Sequence, residues 1–224
     1  MKLVQINSVC GSGSTGRIAL DIQKLLEEEG NECLFGYGRG RAPKGINSLR
    51  IGYDFDNYLH AAAARIFDNQ GFCSTAATEK FIKKLRDYDP DLVHLHNIHG
   101  YYINEELLFS FLQESSKPVV WTLHDCWAFT GHCAHFDFIG CTRWQAGCHD
   151  CPQKKIYPAS LVCDNSAANY KKKEELFNSL KNLVLVTPSA WLADVVSRSF
   201  LRNYETRIIN NGVDLEIFRR KDGN

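Results

Sequence analysis

Short apolar runs alternate along the chain with segments of helical period, the pattern of a parallel sheet covered by helices on both faces. KLVQIN, Lys2 to Asn7, reads as a first strand. After the glycine-rich GSGSTGR, Ile18, Ile22, Leu25 and Leu26 fall on one helical stripe, Asp21, Lys24, Glu27 and Glu28 face away, and Gly30 ends the helix. ECLFGYG is a second strand, and GRGRAPKG after it is a loop without periodicity. Residues 53 to 73 fit helix and loop equally. Thr78 is placed to cap a helix through Phe81, Ile82 and Leu85 that Pro90 closes, and DLVHLHN follows as a buried strand. Asn104 caps a helix carrying Leu107, Leu108, Phe111 and Leu112, and Pro118 precedes the strand VVWTLHD.

Residues 126 to 163 break this rhythm. They are rich in Cys, His, Gly and aromatics with no clean period, which marks an insertion on the scaffold, the kind of loop in which function concentrates. The alternation resumes with a helix in YKKKEELFNSLKNL, a strand in LVLVTPS, a helix in AWLADVVSRSFL and a last strand in TRIINNG. The pattern as a whole predicts an α/β fold, a Rossmann-like doubly wound parallel sheet of about six or seven strands. Residues 1–218 form one domain on this reading, and 219–224 read as the start of a linker.

Composition narrows the partners. The 224 residues are 44% hydrophobic, enough to bury a full core, and Lys plus Arg equals Asp plus Glu at 26 each. A chain with no basic excess has nothing to neutralise a phosphate backbone, which argues against nucleic acid. The first residues carry one Lys and an apolar run that stops at the glycines, too short for a signal peptide, and no apolar stretch approaches the roughly 18 residues of a membrane span. The expected location is therefore the cytoplasm, with nine cysteines held as reduced thiols, a setting in which a cysteine cluster points to metal before disulfides.

Gly11, Gly13 and Gly16 spell G-x-G-x-x-G between a strand and a helix, where small residues let backbone N–H groups and a helix amino terminus meet a diphosphate. The same spacing also suits a tight turn that meets no ligand. A dinucleotide dehydrogenase would place an acid at the end of the second strand, and here that strand runs from Cys33 to Arg39 without one. His94, His96, Asn97, His99, His124 and Asp125 lie at or just past carboxyl ends of strands, where open α/β sheets bind ligands. His94 and His96 share a face and could pair on a metal, but a hydrogen-bonded buried histidine is the plainer reading of His94. His99 and His124 each precede a loop and can reach a substrate hydroxyl or phosphate. Cys126 is close enough to His124 for a thiol–imidazole pair, though no other feature supports a thiol enzyme.

Cys133, Cys141, Cys148 and Cys151 are separated by seven, six and two residues. The C-x-x-C knuckle and two further thiolates could complete a tetrahedral structural zinc site; disulfides and packed thiols are the alternatives. His132, His135 and His149 are substitute ligands.

The glycine loop GSGSTGR, the strand DLVHLHNIHG, the stretch VVWTLHDCWAFTGHC with its continuation GCTRWQAGCHDCP, the segment VTPSAWLADVVSRS and the closing IINNGVDLEIF together resemble family-4 glycosyltransferases, nearest to the branch that builds bacterial exopolysaccharide of the colanic-acid type. The likeness runs from Lys2 to Phe218. It implies the GT-B plan of two Rossmann-like domains facing across a cleft, this chain being the N-terminal, acceptor-side one and the C-terminal donor-binding domain being absent. It implies retaining transfer of a sugar from a UDP- or GDP-sugar donor to a saccharide or lipid-linked acceptor, with no catalytic cofactor. By position in the family's motifs, Gly11, Gly13 and Gly16, with Arg17 as a helper, would approach the donor diphosphate and His124 would stand near the reacting hydroxyl. Asn97, His99, Asp125 and Trp127 are then the expected acceptor contacts, and peripheral contact with the inner membrane is compatible with the parent enzyme. A non-catalytic binding module with a zinc-stapled loop is the alternative of a different class.

Overall fold

The computed structural model describes residues 1–213 and 215. The expected linker at 219–224, and the end of the NNGVDLEIF run, lie outside the described residues. Seven strands form one parallel sheet in the order β3-β2-β1-β4-β5-β6-β7: β1 Lys2–Val9, β2 Glu32–Arg39, β3 Ser48–Arg50, β4 Leu92–Leu95, β5 Val119–Thr122, β6 Leu183–Thr187 and β7 Glu205–Ile208. This is a doubly wound sheet whose strand order reverses between β1 and β4, the place where such sheets open a ligand crevice at their carboxyl edge. Register follows from packing on both faces. Leu3 to Ile6 pair with Leu92 to Leu95, so Val4, Ile6, Val93 and Leu95 enter one core while Gln5 and His94 share the other face.

Helix α2 Asp54–Phe67 lies outside the main core, which four helices supply: α3 Thr75–Tyr88, α4 Glu105–Ser115, α5 Ser166–Phe177 and α6 Ala190–Ser197. Its centre is aromatic. Trp121, Phe109 and Phe177 pack at 4.7–5.8 Å between ring centroids, geometry that adds edge attraction to the burial of area.

Two expectations about helices need correcting, and one segment that the sequence left open is resolved. Helix α1 (Gly13–Glu28) does not seat its large apolar stripe. Its buried positions are Gly16, Ala19, Leu20 and Gln23, while Leu25 is 61% exposed. Small residues and a glutamine let the helix come close to β1 and β2, and this rotation leaves Ile18, Ile22 and Leu25 on the wall of an open groove shared with Val120, Val186, Ile209 and Val213. Thr78 is not a cap. Ser74 occupies that position in the left-handed region, and Thr78, one turn in, donates to the Ser74 carbonyl at 2.9 Å and accepts from Asn104 N–H at 2.8 Å. The ambiguous segment 53–73 contains α2, whose buried residues are Asn57, His60 and Ala64, with Phe55, Tyr58 and Leu59 exposed. Its polarity is inverted, so a hydrophobic-periodicity reading could not orient it. Asn104, by contrast, caps α4 as read, accepting from Leu107 N–H at 3.1 Å.

The insertion is irregular between β5 and α5, with three single-turn 3₁₀ segments at Trp127–Phe129, Asp137–Ile139 and Arg143–Gln145. Polar anchors tie it to the scaffold. Asp68, in the left-handed position ending α2, accepts from His132 Nδ1 at 2.5 Å and from Asn165 N–H at 2.9 Å. Burial works against charge on His132, yet the Asp68 carboxylate lifts it above its ordinary value. Lys173 of α5 is 1% exposed and donates to the carbonyls of Trp127 and Thr130 at 2.9 and 3.1 Å, with its ammonium 3.1 Å from the centre of the Trp127 ring.

Candidate active site at the carboxyl edge of the sheet

The glycine loop joins β1 to α1 at the switch point. Gly11 and Gly13 take positive φ values of 68° and 63°, and Gly11 N–H turns back to the Gly16 carbonyl at 3.0 Å. A Cβ on Gly16 would stand 2.9 Å from Val9 Cγ2 and 3.1 Å from the Val9 carbonyl, so only glycine lets the helix pack this close to the strand. The N-cap Ser12 makes no side-chain bond, which leaves the first-turn N–H groups of α1 pointing outward. Arg17 is exposed beside them.

From the helix, a chain of hydrogen bonds runs to the histidines. Gln5 Nε2 donates to the Ala19 carbonyl of α1 at 2.8 Å, which leaves Gln5 Oε1 to accept. It meets His96 Nε2 at 2.9 Å, and His96 Nδ1 meets His124 Nε2 at 3.1 Å. An acceptor at Gln5 Oε1 requires a proton on His96 Nε2, so neutral His96 accepts at Nδ1 and His124 donates from Nε2. His124 therefore holds its lone pair on Nδ1. Burial depresses His124 to about 4, with His99 adding to the effect against Asp125, and the ring is neutral near pH 7. His94 is the hydrogen-bonded buried histidine read from sequence: its Nε2 meets Thr122 Oγ1 at 2.8 Å, and its ring lies 4.1 Å from that of His96.

His99 is differently placed. Both of its ring nitrogens are held, Nε2 by Asp125 Oδ2 at 2.9 Å and Nδ1 by the Tyr157 hydroxyl at 3.2 Å. Burial alone would raise Asp125, but the His99 ring and the Trp127 N–H, 2.9 Å from Oδ1, hold its carboxyl below the usual range. Asn97 is fixed by its backbone, its N–H donating to Asn7 Oδ1 at 3.1 Å and its carbonyl accepting from Tyr102.

The Trp127 assignment is corrected. The residue is 1% exposed, sandwiched between Lys173 and His99, with ring centroids 5.1 Å apart from the latter, and it forms the floor under the site instead of a surface for an acceptor. The thiol–imidazole pair is not formed by Cys126 either: it is 1% exposed and burial pushes its thiol to about 12, far from a reactive thiolate.

Cys133, Cys141, Cys148 and Cys151 do come together. All four line one small enclosed space with Trp144, Phe136 and His149, and none is in a disulfide. Among the described residues, however, no three His, Cys, Asp or Glu side chains stand at the spacing of a metal's ligand shell.

A cleft of about 330 Å³ opens beside these groups. Ser8, Arg39, Asn97, His99 and Asp125 come to it from strand ends; His135, Phe138, Ile156 and Tyr157 come from the insertion. Arg39 and the insertion residues escaped the sequence reading. Arg39 registered only as the place where a dehydrogenase would have an acid, and nothing in the sequence folds residues 135 to 157 back over β1 and β2.

The profile of Glycosyltransferase Family 4 matches residues 16–217. This chain belongs to glycosyltransferase family 4. A relative in Escherichia coli (strain K12), provisionally named colanic acid biosynthesis glycosyl transferase WcaC, is 29% identical over 229 aligned positions, which cover 96% of this family-4 chain and 55% of the relative. Among solved structures, the spinosyn forosaminyltransferase SpnP aligns over 95% of this chain and 49% of its own at 11% identity and a TM-score of 0.42. The family-4 chain thus spans about half the length of the proteins it matches. No helix among its described residues is long and apolar enough to cross a membrane.

Proposed function

We propose that this chain is the N-terminal, acceptor-side domain of a two-domain GT-B glycosyltransferase that moves a sugar, with retention of configuration, from a UDP- or GDP-sugar to a saccharide or lipid-linked acceptor in cytoplasmic polysaccharide synthesis. The observation that carries the reading is the hydrogen-bonded line from α1 through Gln5 and His96 to His124, which ties an imidazole whose Nδ1 lone pair is free to the helix that begins in the glycine loop. The first-turn N–H groups of α1, with Arg17, offer positive potential to a departing diphosphate, and His124 Nδ1 offers a lone pair to a sugar hydroxyl. Asn97 and Asp125 line the cleft where the acceptor would lie, and His99, held at both nitrogens, orients Asp125.

The nucleotide's base and ribose have no subsite in this proposal within residues 1–224. Purified chain is expected to show no sugar transfer from UDP- or GDP-sugars, and a version extended through a donor-binding domain is expected to restore it. Transfer by residues 1–224 alone, with contaminating enzyme excluded, would overturn the assignment of donor binding to another domain.

A structural zinc on Cys133, Cys141, Cys148 and Cys151 belongs to the same proposal. Its support is the convergence of four unpaired thiols on one enclosed space in a loop with little regular structure, whose ordering a metal would offset. Binding must draw the sulfurs closer than they stand here. Protein prepared without chelator is expected to contain about one zinc per chain, and Cys148→Ser to destabilise it more than Cys73→Ser. Metal analysis showing none would leave the cluster as packed thiols.

A further inference from the structure

The cleft beside Asp125 contains a cation that the protein itself does not satisfy. Arg39, at the end of β2, makes no hydrogen bond and no ion pair with any described residue, and its Nε is fully buried without a partner. A guanidinium keeps its charge at any relevant pH and carries five donors in a rigid fork. Its Nε is covered by the fold, but the residue as a whole is half-buried on the lining of the cleft, so the rest of the fork can meet an acceptor that comes from outside the fold. Asp125 lines the same cleft but makes no ion pair with Arg39. His99 takes one of its oxygens and the Trp127 N–H the other.

The surroundings hold Arg39 in this posture. A Cβ built on Gly100 would stand 3.4 Å from Arg39 Nη2, so the guanidinium lies against a backbone that has no side chain to displace it. Ser8 and Asn97 add neutral donors to the same lining. Phe138 and Ile156, at 71% and 55% exposure, form an apolar lip at the mouth, suited to the C–H face of a sugar ring. Neither the glycine loop nor Arg17 lines this cleft, so the anion expected here is separate from the donor's diphosphate.

We propose that Arg39 makes this cleft a receptor for an oxyanion carried by the acceptor, a sugar carboxylate or a phosphate, held bidentately by the guanidinium with Ser8 and Asn97 as supporting donors. The proposal rests on the reading of the cleft as the acceptor side of a glycosyltransferase and specifies the acceptor's chemistry. A planar fork matched to two oxygens discriminates charged from neutral sugars of the same shape.

The test needs only the chain itself, titrated at constant ionic strength with methyl β-glucuronide, methyl β-glucoside and inorganic phosphate, and followed by NMR. The glucuronide is expected to bind about tenfold or more tightly than the glucoside, the increment of a charge-assisted pair. Arg39→Gln should abolish the difference and Arg39→Lys should retain part of it, each melting close to the parent chain. Phosphate binding that depends on Arg39 without a glucuronide preference would support the oxyanion and identify it as phosphate. Equal binding of the two sugars with no Arg39-dependent phosphate binding, or a glucuronide preference that survives both Arg39 variants, would overturn the proposal. None of these readouts requires sugar transfer, so their failure leaves the transferase reading intact.

Discussion

Replacing His124 with alanine in the extended, active protein is expected to lower kcat by roughly 100-fold or more while KM for the donor changes little, the pattern of a group used in the transition state. The ring is neutral, its Nε2 proton is committed to His96, and Nδ1 is the nitrogen left for substrate. Its depressed value of about 4 sets the pH behaviour. Above pH 5 the lone pair is present, so activity governed by His124 should be flat from there to neutrality and should fall only as pH drops through about 4. A wild-type rate in His124→Ala would remove the residue from the reaction. His96→Gln offers a finer test, because His96 acts through His124: the protein should stay folded with a smaller loss of kcat and an altered acid limb of the profile.

The largest loss of stability is expected from Lys173→Ala. Lys173 is fully enclosed, bridges two carbonyls of the insertion and covers the Trp127 ring. Removing it leaves two buried carbonyls without a donor and a cavity over the Trp127 ring, at about 1–3 kcal/mol for each orphaned acceptor. Glu105, buried nearby with no hydrogen bond to either carboxylate oxygen, should behave differently. Burial pushes it up to about 8 even against the pull of Lys173 and Lys172, so at neutral pH it is already uncharged. Glu105→Gln is therefore expected to cost less than about 1 kcal/mol. Denaturant unfolding of the two variants at pH 7 checks the asymmetry. Equal losses would show that the two side chains act as a charged pair.

The sheet was legible because β1, β4, β5 and β6 read as nearly continuous apolar runs, and β1, β4 and β6 are each followed by a capped or glycine-started helix. β3 was not, being three residues of mixed polarity at an edge. The face of α1 was misjudged because close packing selects small residues, and Gly16, Ala19 and Gln23 carry no hydrophobic signal. At the site, the strand ends announced His124, Asp125, Asn97 and His99. Tautomers and occupied nitrogens depend on partners as distant in sequence as Gln5 and His96, which no local motif encodes. Lys173 sits in the run Lys171, Lys172, Lys173, and only tertiary packing decides which of the three is enclosed.

The cleft's two walls have different origins, and this divides what can drift from what cannot. Ser8, Arg39, Asn97, His99 and Asp125 are set by the geometry of strand ends, whereas His135, Phe138, Ile156 and Tyr157 hang on a loop whose attachment runs through Asp68 and Lys173. His124 is gripped from beneath, by His96, Gln5 and the first helix, on the side away from that loop. Mutations in residues 135 to 157 can therefore reshape which molecule is admitted without disturbing the imidazole. On the proposed reading, substitutions in that loop would change which acceptor is admitted while the groups around His124 keep their geometry.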